Sequence, residues 1–324
     1  MAADKAVLLL AYGTPERLTD VEEYFTHIRG GRRPAPDAVE HLRARYARVG
    51  GSTPLRHITD AVRQGLERHL ADSGMPHRVY IGMKHWHPYI AEAVRQMSDE
   101  GVREVTALAL APHYSRLSVG AYRQAVEDAR TELGAAFSVR FVPNWYRQPQ
   151  FVDLLAQSVC DALTRFPESA RESVAVVFTA HSLPVRIRQW GDPYEAELAE
   201  SSALVAREAG IGEWHFAWQS AGGTQEPWLG PDILEYLEQL RRKGVRSVLQ
   251  VPIGFVSDHL EVLYDIDIEA KDKARSLGMT LERTELPNAS PRFIQALAEV
   301  VRAAETPAKA ANPGSTTAPS GAAR

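Results

Sequence analysis

At 324 residues the chain can hold two domains of ordinary size, and 44% hydrophobic with 24% charged residues is the composition of a soluble globular protein. A formal net charge of −4 argues against a general nucleic-acid or membrane-surface binder, which needs a basic excess. Cys160 is the only cysteine, which excludes an internal disulfide and any iron–sulfur cluster carried on four thiolates.

Met1–Lys5 carries an acid and a base, and the apolar run Ala6–Ala11 behind it ends in Gly-Thr-Pro, too soon for a signal peptide. No stretch approaches the roughly 18–20 apolar residues of a membrane span, so no integral membrane segment is expected and the cytoplasm is the default location. Short apolar runs then alternate with helical patterns. Strands are expected near Val7–Ala11, Val79–Met83, Val105–Leu110, Ser138–Val142, Val174–Thr179, Trp214–Trp218, Ser247–Val251 and Leu281–Glu285. Amphipathic helices are expected over Asp60–Leu70, Ile90–Met97, Tyr122–Leu133 and Asp232–Arg242. Repeated βα units favour an α/β fold with an open, largely parallel sheet covered by helices. The strands divide into two sets, starting at Val7 and at Val174, with Asn144–Glu172 as the crossover. Two doubly wound lobes with a cleft between them follow, residues 1–145 and 146–304. Residues 305–324, rich in Ala, Pro, Ser, Thr and Gly without periodicity, are expected to be a disordered tail.

In open α/β sheets ligands bind beyond the carboxyl ends of the strands. Several strands here end in polar residues beside Gly or Pro: Tyr12-Gly13-Thr14-Pro15, Pro112-His113-Tyr114-Ser115, His181-Ser182-Leu183-Pro184 and Gly254-Phe255-Val256-Ser257. Neither nucleotide string, G-x-G-x-x-G or G-x-x-x-x-G-K-[ST], occurs, and G-x-S-x-G is absent as well.

Glu261, Asp265 and Glu269 recur every four residues with almost no basic partner before Lys271. An α-helix places them on one side with a drift of about 40° per step, and a local π-type widening would cancel that drift. Three unpaired carboxylates in a file call for a compensating cation; otherwise they are a solvated acidic face. His181 follows the apolar run Val174–Phe178; a histidine at a strand end is either structural or functional, and histidine can both bind a divalent metal and move protons near neutral pH. His85 suits a supporting position, His87 a structural one, and His57, His69, His77 and His215 carry no signal. The stretch Arg29–Arg48 holds six arginines against Asp37 and Glu40. It is either a solvated face or an anion clamp, since the guanidinium fork matches carboxylates. Tyr12, Tyr24, Phe25, Tyr46, Trp86 and Tyr122 could face a flat aromatic ligand.

The strings Ala11-Tyr-Gly-Thr-Pro15, Gly50-Gly-Ser-Thr-Pro-Leu55, Gly82-Met-Lys-His-Trp-His-Pro88, Ala111-Pro-His-Tyr-Ser115, Thr179-Ala-His-Ser-Leu-Pro184, Trp218-Gln-Ser220 and Pro252-Ile-Gly-Phe-Val-Ser-Asp-His-Leu-Glu-Val-Leu-Tyr264 resemble ferrochelatases. The resemblance runs in order from about Val7 to Val301, and it is closest to the Gram-positive branch, the coproporphyrin ferrochelatases. The resemblance implies a monomer of two Rossmann-like lobes, each a mostly four-stranded parallel sheet flanked by helices, with the porphyrin in the cleft. It implies a lyase-class metal chelatase that inserts Fe²⁺ into coproporphyrin III in haem biosynthesis. By the same resemblance His181 and Glu261 face the metal and carry the catalysis, and Asp265 and Glu269 continue the metal-side line. Tyr12 matches the tyrosine that can ligate iron from the other porphyrin face, and Arg29, Arg45, Tyr46, Thr53 and Tyr122 match positions that hold propionates. Relatives often read Gly-Gly-x-Ser-Pro-Leu where this chain has Thr53, so the hydroxyl is kept.

In that reading His181 accepts porphyrin N–H protons, while Glu261 balances the dication and passes protons outward. No cofactor is bound permanently; Fe²⁺ is substrate, and no [2Fe–2S] cluster is expected. The partners implied are the porphyrin and Fe²⁺, with transient contacts to neighbouring haem-pathway enzymes. Two rival readings stay open: a chelatase for another tetrapyrrole or metal, such as protoporphyrin, cobalt or nickel, and a non-catalytic porphyrin or haem carrier. The complete His181/Glu261/Asp265/Glu269 set favours catalysis, because a carrier needs only an axial ligand and an anion clamp.

Overall fold

The computed structural model describes residues 4–306. Its strands are β1 (Lys5–Ala11), β2 (Arg78–Met83), β3 (Glu104–Ala109), β4 (Ser138–Val142), β5 (Ala175–His181), β6 (His215–Gln219), β7 (Ser247–Val251) and β8 (Thr280–Arg283). The helices are α1 (Val21–Ile28), α2 (Pro36–Arg48), α3 (Leu55–Asp72), α4 (Ile90–Asp99), α5 (Val119–Leu133), α6 (Pro149–Leu163), α7 (Tyr194–Glu208), α8 (Ile233–Arg242), α9 (Leu260–Leu263), α10 (Lys271–Ser276) and α11 (Pro291–Glu305). A π-helical turn, Asp265–Ala270, lies between α9 and α10. Among the described residues no helix is long and apolar enough to cross a membrane.

Each expected strand is present within a residue or two. Residues 6–10 of β1, Ala-Val-Leu-Leu-Leu, are fully buried, because a central parallel strand is covered on both faces. The two parallel sheets have the same strand order, β2-β1-β3-β4 and β6-β5-β7-β8. In that order the chain reverses its direction of travel beside the first strand of each set. The crevices therefore open between β1 and β3 and between β5 and β7, at their carboxyl ends. His181 is the last residue of β5 and not a residue beyond it.

Helix starts depart more. α3 begins at Leu55 directly after Pro54, and α5 begins at Val119, because Arg56-His57 and Gly120 interrupt the apolar period without breaking the backbone. The last helix bridges the two expected lobes. α11 packs against α3 and β3 of the first sheet as well as against α6, while α6 packs on α7 and β7. Phe293 of α11 joins Trp145 and Phe151, with ring centroids 6.0 and 6.3 Å away, in a core shared by both lobes. An amphipathic stripe says that a helix needs an apolar surface; it does not say which sheet provides one.

The tail boundary also moves. Glu305 belongs to α11 and is not tail: His77 Nε2 lies 2.7 Å from its carboxylate, Lys5 Nζ 3.1 Å, and Thr106 Oγ1 donates at 3.2 Å. A burst of small residues masked the end of the helix in the sequence. The expectation of disorder over residues 307–324 lies outside the described residues.

Candidate active site

Five strand ends, α2 and the segment of α9 with the π-helical turn build the site. After β1 the chain turns at Gly13, whose φ of +97° suits glycine, and a Cβ there would stand 2.8 Å from Trp86 N. That closeness lets Lys84 N–H and His85 N–H donate to Ala11 and Tyr12 carbonyls, both at 2.9 Å. Tyr12 is thereby turned outward, 43% exposed, with its ring 4.6 Å from the His85 ring. His85 is buried and meets His27 Nδ1 to Nδ1 at 3.1 Å; burial first, then Lys84 and His27, pushes it down to about 3. His87 is exposed against Glu92 at 3.0 Å.

His181 ends β5 with its Nδ1 against the Ser182 carbonyl. Nδ1 must then carry the proton of the neutral ring, which leaves the Nε2 lone pair free, 3.7 Å from Glu261 Oε1. Gly254 allows the loop after β7 to pass this strand end, since a Cβ there would lie 2.8 Å from Ala180 Cβ. His259 Nε2 stands 2.9 Å from Glu261 Oε2, and its Nδ1 2.8 Å from the Ser257 carbonyl. Each ring nitrogen of His259 faces an acceptor, an arrangement that favours the imidazolium. Burial opposes that charge, but Glu261 outweighs it and the pKa is raised. Burial likewise pushes Glu261 up, but the His259 hydrogen bond, the facing His181 whenever its ring is protonated, and the charges of His259 and Arg45 prevail and hold it at about 2.

The π-type widening is present. Ile268 and Glu269 N–H both donate to the Tyr264 carbonyl, at 3.1 and 2.9 Å, the latter from five residues on. The file runs from half-buried Glu261 through buried Asp265 to exposed Glu269. Among the described residues no three His, Cys, Asp or Glu side chains converge as a metal cage, so the four metal-side candidates form a line. Asp265 corrects one expectation, because it is not unpaired. Arg45 and Ser220 Oγ both donate to it. Burial pushes Asp265 up to about 6, with Glu261 and Glu269 adding, against the lowering by Arg45 and Ser220. Ser220, at φ +59°, holds a left-handed conformation rare outside glycine, which aims its hydroxyl at this carboxylate.

The expected clamp divides in the same way. Arg45 carries Asp265 and lies over the Tyr264 ring at 4.7 Å. Arg29 is exposed at the end of α1, 5.9 Å from the Phe25 ring, with no ion pair among the described residues. Arg33 pairs with Glu22, Arg43 with Glu40, and Arg48 with Asp272. The hydroxyls of Tyr46 and Thr53 meet Thr14 Oγ1 at 3.2 and 2.9 Å. Tyr122 is buried, with Lys84 Nζ 5.9 Å from its ring centre. Tyr24, Tyr46, Trp86 and Tyr122 are packed, so of the six aromatics only Tyr12 is prominently exposed and Phe25 is half-buried.

Sequence reasoning missed Thr14, Gln219, Ser220 and His259 as site residues. Gln219 Nε2 donates to the Glu261 carbonyl at 3.2 Å and its Oε1 accepts from Thr179 at 2.8 Å, tying the helix start to the sheet. The strand-end rule that found Tyr12 and His181 would have found Gln219 and Ser220 as well.

The Ferrochelatase family model matches residues 4–305 of this chain. The chain is 48% identical over 303 residues to the ferrochelatase of Herpetosiphon aurantiacus, covering 93% of this chain and 99% of that one. It is 42% identical over 298 residues to the coproporphyrin III ferrochelatase of Bacillus subtilis, covering 91% and 96%. Among solved structures, SirB from Bacillus subtilis with Fe³⁺ shares the fold, at a TM-score of 0.61 and 12% identity over 94% of this chain and 96% of that one.

Proposed function

The chain belongs to the ferrochelatase family, lyase-class metal chelatases, and from that membership we propose that it inserts Fe²⁺ into coproporphyrin III with His181 and Glu261 at the metal. The observation that carries the chemistry is the bare Nε2 of His181 facing the Glu261 carboxylate at 3.7 Å at the mouth of the β5–β7 crevice.

Insertion exchanges one dication for the two N–H protons of the macrocycle, so the site must take up protons while it balances charge. Bending the ring lifts the nitrogen lone pairs out of plane, and His181 Nε2 accepts a proton there. General-base help of this kind contributes roughly 10²–10⁴-fold. Glu261, held at about 2, stays ionised and offsets the incoming dication; it is a poor proton carrier. Asp265, at about 6, suits that step better, and exposed Glu269 returns protons to water and offers iron its first carboxylate. Carboxylates met one at a time let Fe²⁺ shed water in stages.

Coproporphyrin as substrate is supported by the relatives of that name and by the carboxylate-binding chemistry at the rim. Arg29 has a free guanidinium, and Tyr46, Thr14 and Thr53 form a hydroxyl trio. The test is steady-state kcat/KM for coproporphyrin III against protoporphyrin IX, with Fe²⁺ and enzyme far below substrate. A preference on the order of 10²-fold is expected from two charge-assisted contacts. Equal turnover would overturn the substrate, and a Soret shift that saturates at one equivalent would make the protein a carrier.

A further inference from the structure

The turn before α7 and the start of that helix carry a set of polar contacts that leads back to His181. Tyr194 is buried, and its Oη donates to the His181 carbonyl at 3.1 Å. Its own N–H is capped by Asp192 Oδ1 at 3.1 Å. The other oxygen of Asp192 reaches across to the first lobe, accepting from Ser115 Oγ at 3.0 Å and Arg116 N–H at 2.7 Å. One turn later, buried Glu197 accepts from Tyr114 N–H and Asn144 Nδ2, both at 2.6 Å. Three consecutive residues after β3 are thus held by two carboxylates of the second lobe. One of those carboxylates caps the residue that grips the end of β5.

We infer that Tyr194 is a positioning residue for His181, and that with Asp192 it links the 114–116 loop of the first lobe to the aim of that imidazole. The inference rests on reading His181 as the base at the metal. The end of β5 needs such a grip. Its ladder with β7 stops at Phe178–Val251, so on that flank the last three residues of the strand run past their paired partner. On the other flank the ladder continues to His181–Gln219. The tyrosine hydroxyl takes the carbonyl next to the imidazole, and the Nδ1 contact to Ser182 orients the ring itself. A small displacement of a reacting group can cost up to about 10²-fold in rate, so a single hydrogen bond to that residue has leverage on kcat.

The experiment is Tyr194→Phe in the full chain, which keeps the ring packed against Trp218 and removes only the hydroxyl. With Fe²⁺ and coproporphyrin III, kcat should fall about five- to tenfold, the factor one neutral hydrogen bond commands. The Kd for metal-free coproporphyrin III should stay within about twofold, because the cleft is intact. Asp192→Asn should reproduce the loss, and the double variant should be no worse than the poorer single one, since both act along one path. A kcat within twofold of wild type overturns the inference. So does an equal loss in kcat and porphyrin affinity together with a fall in Tm, which is what mere lobe packing would give. Multiplying effects in the double variant would overturn the link to the first lobe. His181→Ala, run alongside, separates the two claims: if it retains activity the base assignment fails and this role with it. If it is inactive while Tyr194→Phe is normal, only the positioning role fails.

Discussion

Arg45 of α2 donates to Asp265 of the π-helical turn, with both side chains largely buried. A cation nominated for the substrate's carboxylates therefore holds one of the protein's own, and the first lobe is bound to the acidic file by charge. Arg45→Ala should leave Asp265 buried without its counter-charge. Losing one partner of a buried pair costs roughly 3–5 kcal/mol, so Tm should fall by many degrees. Arg29→Ala has no such partner to abandon; its stability should hold while KM for coproporphyrin III rises about tenfold or more, as for one charge-assisted contact. Urea denaturation and steady-state kinetics on the two variants read this contrast, and the reverse pattern would exchange their roles.

The file should show graded chemistry. His181→Ala should retain less than about a tenth of wild-type kcat, given the size of general-base effects, with porphyrin binding preserved. Glu261→Gln should nearly abolish turnover, because the half-buried carboxylate beside Nε2 loses its charge. Glu269→Gln, at the exposed end, should mainly raise KM for Fe²⁺. Were Glu261→Gln no worse than Glu269→Gln, the three acids would be a solvated face.

Asp265 makes a pH-dependent contribution whose sign is fixed by its shift. Its folded pKa, about 6, lies above the ordinary 3.8, so the folded state holds the proton more tightly. That contribution to stability is full below about pH 3.8 and is lost as pH rises through about 6. Asp265→Asn removes the titration, so its stability relative to wild type should improve from pH 4 to pH 7.5, by up to about 3 kcal/mol at 1.36 per unit. Chemical denaturation across that range checks it; parallel curves would mean that Arg45 and Ser220 already neutralise the burial cost.

Glu305 closes α11 onto the first lobe through His77 and Lys5; burial pushes its carboxyl up, but the hydrogen bonds and charges of those two residues outweigh it and hold the carboxyl below the usual range. Its contribution is present above about pH 4.5 and is lost as pH falls through the lowered value. Glu305→Ala should cost about 1–3 kcal/mol by leaving buried His77 without its acceptor. Ending the chain after Thr306 should leave Tm and activity unchanged, whereas ending it at Ala304 should lower Tm.

Local chemistry was legible in the residues themselves. Apolar runs of strand length placed all eight strands, and a four-residue spacing of acids showed what a π-type widening would align without showing that one occurs, because both are periodicities of the backbone. Polar residues at strand ends marked Tyr12 and His181, since a sheet's rim is where its burial stops. Pairings across the fold were not legible. Nothing near Arg45 in sequence indicates Asp265, 220 residues on; nothing in the stripe of α11 selects the first sheet, and His259 acquires its charge only because Glu261 and Ser257 converge on its two nitrogens. Charge and hydrogen-bond energies depend on distance in space and on excluded water, and only the folded chain determines either one.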